Sequence, residues 1–218
     1  MDAKTFDKAK PPSRHVTEGP SANTMAMVSE AIGLALPGSA GAPAPYESRD
    51  KHALASGRAV MRLVTDGIRP RDVATRKAFE NAATIIAATG GSTNAGLHLP
   101  AMAHECGIEF DLMDVTAIFK RTPYIADLKP GGKYVAKDVF DVGGIPQIMR
   151  ALLDGGYLHE DCITVTSKTL KQNLENVKFN KNQQVVFQVS KPTSQTGGVV
   201  GLKGSLAPDG AIVKVVRA

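Results

Sequence analysis

The run Ala87-Ala88-Thr89-Gly90-Gly91-Ser92-Thr93-Asn94-Ala95-Gly96-Leu97-His98-Leu99 sets small hydroxyl and amide side chains between two apolar helical stretches. Ser92, Thr93 and Asn94 donate and accept hydrogen bonds, so a turn built from them is candidate lining for a substrate pocket. Gly90 and Gly91 admit backbone angles that a Cβ forbids, and Ser92 or Thr93 is a good N-cap for the run Ala95, Leu97, Leu99, Met102, Ala103. The first amides of that second helix would then point outward as a weak anion site. The same residues also spell an ordinary helix C-cap followed by an N-cap, with no ligand required.

Other residues with chemical potential are arranged less suggestively. His98 and His104 are six apart, on opposite faces of a helix rather than at the i, i+4 spacing of a metal pair, and they read as ordinary helix histidines. Cys106 and Cys162 have no CxxC neighbour, and Cys106 on its apolar helix reads as a small buried hydrophobe. Lys129-Pro130-Gly131-Gly132-Lys133 is a turn by composition and lacks the GxxxxGK[ST] spacing of a phosphate loop. No catalytic residue and no metal ligand is assigned.

These residues must be positioned by elements that the apolar periodicity outlines. Met25, Val28, Ile32 and Leu36 give a helix from Asn23 ended by Pro37-Gly38, with its sulfur-rich face in the core. A second helix spans Ser48 to about Asp66, with Leu54, Met61 and Val64 on one face and Gly67 closing it. A third runs from Pro70 or Asp72 to Thr89 with Val73, Phe79, Ile85 and Ile86 inward. After the glycine turn and its helix, Asp111 or Asp114 caps a short helix to Lys120, and Tyr124 to Leu128 is a buried strand. Gly143-Gly144 opens a helix from Ile145 to Leu153, closed by Gly155-Gly156, and Pro146 is tolerated near its start. Thr164-Val165-Thr166 is β-rich, and Ser167 or Thr169 caps a last helix through Asn176. The polar stretch from Lys178 to Gln184 connects to short strands at 185–189, 199–202 and 212–216, with Pro208-Asp209-Gly210 as a turn between the last two.

Composition bounds the function classes. A chain of 218 residues with 43% hydrophobic content can bury a real core, and no apolar run approaches the roughly 20 residues of a membrane span. The net charge of +5 comes from thinly spread lysines and arginines alternating with acids, which is a solvated face and argues against nucleic acid. Residues 1–20 carry Lys4, Lys8, Lys10 and Pro11-Pro12 without apolar periodicity, and are expected to be flexible. They lack the apolar core of a secretory signal, and two unpaired thiols suit a reducing, cytoplasmic compartment.

The string GGSTNAGLHLPAMAHECGI (residues 90–108) resembles the signature of the dehydratases that include dihydroxy-acid and phosphogluconate dehydratases. SANTMAMVSEAIGLALPG (21–38), DVGGIPQIMRALLDGGYLHEDCITVTSKTLKQNLEN (141–176) and GGVVGLKGSLAPDGAIVKVV (197–216) continue it in family order. The resemblance implies an α/β fold, a three-layer α/β/α part-domain over residues 21–184 followed from 185 to 218 by the first strands of a β-barrel-like swivelling domain. It implies loss of water from a small 2,3-dihydroxy carboxylate to give a 2-oxo acid in branched-chain amino acid biosynthesis, with an iron–sulfur cluster as Lewis acid and Mg2+ on the carboxylate. A sugar-acid (aldonate or phosphogluconate) dehydratase and a non-catalytic degenerate subunit are the alternatives. The family carries a cluster cysteine just before the segment matching Ser21, where this chain reads Arg14-His15-Val16-Thr17-Glu18-Gly19-Pro20. The family's other metal-binding residues and its serine base fall outside the matched region, so the chain is expected to be an inactive middle slice that holds no cofactor. Surfaces left open by such a slice, including unpaired strand edges, lead to an expected homo-oligomer or an aggregation-prone chain.

Overall fold

A helix of mostly small apolar residues organises the fold. The computed structural model describes residues 20–43, 46–129 and 132–215, so residues 1–19 of the expected flexible segment 1–20 and the Pro130-Gly131 part of one turn lie outside the described residues, while Pro20 opens the first helix. In chain order the elements are α1 (Pro20–Ile32), α2 (Ser48–Asp66), α3 (Pro70–Val73), α4 (Arg76–Thr89), α5 (Ala95–Glu105), α6 (Leu112–Arg121), α7 (Ala136–Asp141), α8 (Ile145–Asp154), α9 (Leu170–Leu174), β1 (Val199–Gly204) and β2 (Ala207–Lys214). This is a helix-rich α/β arrangement with one two-stranded antiparallel sheet among the described residues.

α4 is buried from Ala78 to Thr89 save for a glutamate, because Ala82, Ala83, Ala87 and Ala88 let α1 and α6 approach its backbone while Phe79, Ile85 and Ile86 fill the space between. Its start differs from the expected single helix: Ala74 leaves helical angles, and the Thr75 side chain accepts the Ala78 amide as a new N-cap, so α3 and α4 are separate. α1 stops at Ile32, short of the expected Pro37, because Gly33 (φ 96°) reverses the chain against Thr164. α6 begins as expected at Asp111, in a reciprocal capping box with Asp114. Thr169 and Gln172 make a second box at α9, which ends at Leu174. α7 was not anticipated from sequence.

α2 spans the expected residues and closes on left-handed Gly67, yet Leu54, Met61 and Val64 are 60%, 66% and 72% exposed. Its buried residue is Ala59, on the opposite side.

The expected strand at Tyr124–Leu128 is buried but forms single bridges rather than a ladder: Tyr124 to Ser194, Ala126 to Val186, Leu128 to Tyr134. The 185–189 segment is likewise one bridge, with the Phe187 amide donating to the Ile125 carbonyl (2.7 Å) and Val185 and Val186 in the core. Ile163, in place of a β-rich strand, bridges only Thr169.

β1 and β2 form a hairpin whose pairing of Gly204 with Ala207 leaves Ser205 and Leu206 as the loop. Pro208-Asp209-Gly210 is therefore not the turn; it lies inside β2, where the register shifts between the Leu202–Ala211 and Gly204–Ala207 pairs. The hairpin lies on α6, with Gly201 directly over Thr116.

Candidate functional site

The turn after α4 is held from three sides. Gly90 adopts φ 58° and closes α4 as its left-handed C-cap, and the Gly91 amide donates back to the Ile86 carbonyl (2.9 Å). A Cβ at Gly90 would lie 2.8 Å from Tyr124 Cε2, so the aromatic ring closes on the backbone there. The Ser92 amide donates to Thr24 Oγ1 on α1 (3.0 Å), a buried contact that ties the turn to the first helix. Above the turn, the Gly198 amide donates to the Ala87 carbonyl (3.3 Å), and the Gly197 amide to the Phe119 carbonyl (3.2 Å).

The three candidate side chains end up in different environments. Ser92 is 8% exposed, and its hydroxyl accepts the Asn94 amide (3.2 Å). Thr93 is half-buried and Asn94 is exposed. Neither Ser92 nor Thr93 is the N-cap: that position belongs to Asn94, which is in helical angles and makes no side-chain cap bond. The expected outward-pointing amides are also absent. The Ala95, Gly96 and Leu97 amides donate to the carbonyls of Ser92 (3.2 Å), Thr93 (3.0 Å) and Asn94 (3.1 Å), because the turn itself winds as a tight helical turn that supplies i−3 acceptors. What the turn offers a ligand is thus side-chain chemistry, the Thr93 hydroxyl and the Asn94 carboxamide, on a rigid base.

The remaining sequence candidates are dispersed. His98 and His104 are both exposed on α5, and Cys106 is the half-buried C-cap residue of that helix, packed against the core. Cys162 is buried far along the chain; its sulfur accepts from Asn81 Nδ2 (3.6 Å), and burial pushes its thiol up to about 11. A thiol so disfavoured as thiolate is a poor cluster ligand. Among the described residues no group of three His, Cys, Asp or Glu side chains is placed to hold a metal ion. Among the described residues the donor set therefore fits neither an iron–sulfur cluster nor a resident divalent cation.

Sequence reasoning missed two polar groups near this frame. Glu30 on α1 is 3% exposed, and its carboxylate accepts from the Gly38 (2.6 Å) and Ala40 (3.3 Å) amides, anchoring the loop after α1. Only its position two residues before the end of α1 distinguishes it in the sequence. Thr24, which holds the Ser92 amide, gave no signal because its partner is 68 residues away.

A sequence model of the family described as dihydroxy-acid/6-phosphogluconate dehydratase N-terminal matches residues 18–173. A dihydroxy-acid dehydratase of Parvibaculum lavamentivorans is 71% identical over 195 residues, covering 89% of this chain and 34% of that protein. One from Bradyrhizobium diazoefficiens is 68% identical over the same length and shares. One from Sulfurisphaera tokodaii is 51% identical over 197 residues, 89% of this chain and 35% of the relative. The chain spans about a third of the length of the curated relatives it matches.

Proposed function

Because this chain belongs to the dihydroxy-acid/6-phosphogluconate dehydratase family, we propose that it is the pocket-bearing segment of a dihydroxy-acid dehydratase, a hydro-lyase. The whole protein would convert a small 2,3-dihydroxy carboxylate to a 2-oxo acid in branched-chain amino acid biosynthesis. The observation that carries this reading is the 71% identity over 195 residues to a protein of that name. In it, Ser92 shapes the turn, and Thr93 and Asn94 face the substrate as pocket lining. The helices over residues 21–184 are part of a three-layer α/β/α domain, and 185–218 open a β-barrel-like swivelling domain. A homo-oligomer in the cytoplasm is the assembly we propose; no described helix is long and apolar enough to cross a membrane.

The family resemblance implies an iron–sulfur cluster and Mg2+, and the described residues do not fit either group. No catalytic step is therefore assigned to this chain, whose contribution is binding and positioning. Purified alone, it should release no 2-oxo acid from 2,3-dihydroxyisovalerate, since the loss of a general base by itself costs roughly 10²–10⁴-fold. Residues 23–215 grafted in place of the matching region of the Parvibaculum protein should sustain dehydration within about ten-fold of that parent. A chimera that folds and loads its cofactors yet has lost dehydration would overturn the family role. Turnover proportional to the purified chain alone would overturn the incompleteness of its catalytic set.

A further inference from the structure

Lys214 stands opposite Val199 in the β1–β2 ladder, and paired residues project their side chains to the same face of a sheet. That face is the inner one: Val199 is buried in the core, and Ile212, two residues before Lys214, reaches Gly96 so closely that a Cβ there would lie 2.9 Å from Ile212 Cδ1. One residue after Lys214, the Val215 amide donates to the Gly198 carbonyl (3.0 Å), and Gly198 backs onto Gly90. β2 therefore runs from its contact with Gly96 toward the strand partner that backs onto Gly90, so Lys214 lies between contacts to the two glycines that flank Ser92-Thr93-Asn94.

A lysine on the inner face of a sheet either keeps its ammonium in water or pairs it with an anion. Other basic side chains beside the helical layer have one: the Arg76 guanidinium donates to Asp114 Oδ1 (2.7 Å) and Glu80 Oε1 (3.2 Å), and Lys77 pairs with Asp161 (2.5 Å). Among the described residues Lys214 forms no ion pair, although it is half-buried. Burial also draws its pKa below the usual lysine value, the sign of an ammonium losing water without gaining a carboxylate. An incoming carboxylate would supply the missing charge, and a charge-assisted bond in a partly dry site is stronger than a neutral one.

We infer that Lys214 is the cation this chain itself contributes to a carboxylate site at the Ser92-Thr93-Asn94 turn, taking the carboxylate of a small hydroxy acid with Thr93 and Asn94 as neutral partners. The inference rests on the reading of that turn as pocket lining. Charge selects the acid through Lys214, while the hydroxyl and carboxamide bond the rest of the molecule. The Ser92 hydroxyl, already accepting the Asn94 amide, shapes the turn.

Glycerate, the smallest 2,3-dihydroxy carboxylate, is the probe, with glycerol as its uncharged counterpart, and the readout is nuclear magnetic resonance of the full chain carrying 13C-methylated lysines. Glycerate should shift the Thr93 and Asn94 resonances and raise the titration midpoint of Lys214, and glycerol should do neither. Lys214→Met should weaken glycerate about ten-fold or more, and Lys214→Arg should hold it within a few-fold. Lys214→Gln, neutral and of similar polarity, repeats the measurement should the methionine variant fold poorly. Unchanged glycerate shifts at Thr93 and Asn94 in the neutral variants would overturn the role of Lys214 while leaving the pocket reading standing. An absence of shifts at those two residues in the unsubstituted chain would overturn the pocket reading and the Lys214 site together.

Discussion

Glu30 is the residue whose environment most changes its chemistry. Burial raises its pKa from 4.5 to about 7, and the Gly38 and Ala40 amides offset part of that by favouring the carboxylate. Below about pH 4.5 both folded and unfolded chains hold this proton. Between 4.5 and 7 the folded chain retains a proton that the unfolded chain has released, so stability falls as pH rises, and above about 7 the loss is complete. That interval corresponds to roughly 3 kcal/mol as an upper figure. Urea unfolding at pH 5 and pH 8 should show this fall in the parent chain and a smaller one in Glu30→Gln; equal falls in both would rule out Glu30 as its source. Gly90 gives a second residue-scale expectation. Gly90→Ala puts a Cβ at φ 58° and 2.8 Å from the Tyr124 ring, and should cost roughly 1–3 kcal/mol. Gly57→Ala, helical and with open space around it, should instead add about 0.5–1 kcal/mol. Denaturant midpoints moving the same way in both variants would contradict the packing described at Gly90.

Among the elements, α2 is the one whose amphipathicity points away from the core. Leu54, Val60, Met61 and Val64 line its outer side, and its inner side is anchored by Ala59 and by the Ser167 hydroxyl donating to Asp66 (3.1 Å). Exposed apolar stripes of this kind drive association. Leu54→Lys with Met61→Lys should lower light scattering of the chain at high concentration while moving its stability by less than about 1 kcal/mol, since neither side chain is packed. A larger loss of stability would mean that the stripe is already covered in the folded chain. The caps explain why other elements were readable. Asp111 with Asp114, Thr169 with Gln172, and the left-handed Gly67 and Gly90 are local chemistry, complete within four residues of the sequence. The extended segments at 124–128 and 185–189 were readable only as buried and β-branched, because whether such a segment joins a ladder depends on a partner far away in the chain.

At the scale of the molecule, α4 threads the core and the hairpin is its outer layer. β1 and β2 have one neighbour each, leaving both outer edges unpaired among the described residues, and Val200, Leu202, Leu206 and Val213 are exposed. Amide exchange should accordingly be slowest in α4 and α5 and fastest in the hairpin, with opening of residues 199–214 at a free energy well below that of global unfolding. Hairpin amides as protected as those of α4, in a monodisperse monomer, would show that the hairpin is an integral layer of a self-sufficient domain.

Local chemistry determined both ends of α2, α6 and α8, the C-terminal end of α4, and the polar glycine turn at 90–94, because caps, periodicity and turn residues act over a few positions. The family, too, was legible in motifs that follow one another along the chain. Tertiary structure alone decided that Ser92 is an internal brace held by Thr24, that the α5 amides are spent within the turn, and that Pro208-Asp209-Gly210 sits inside a strand. It alone set Ile212 of β2 against Gly96, more than a hundred residues earlier, since contacts over such separations follow from how surfaces pack and leave no periodic trace in the sequence.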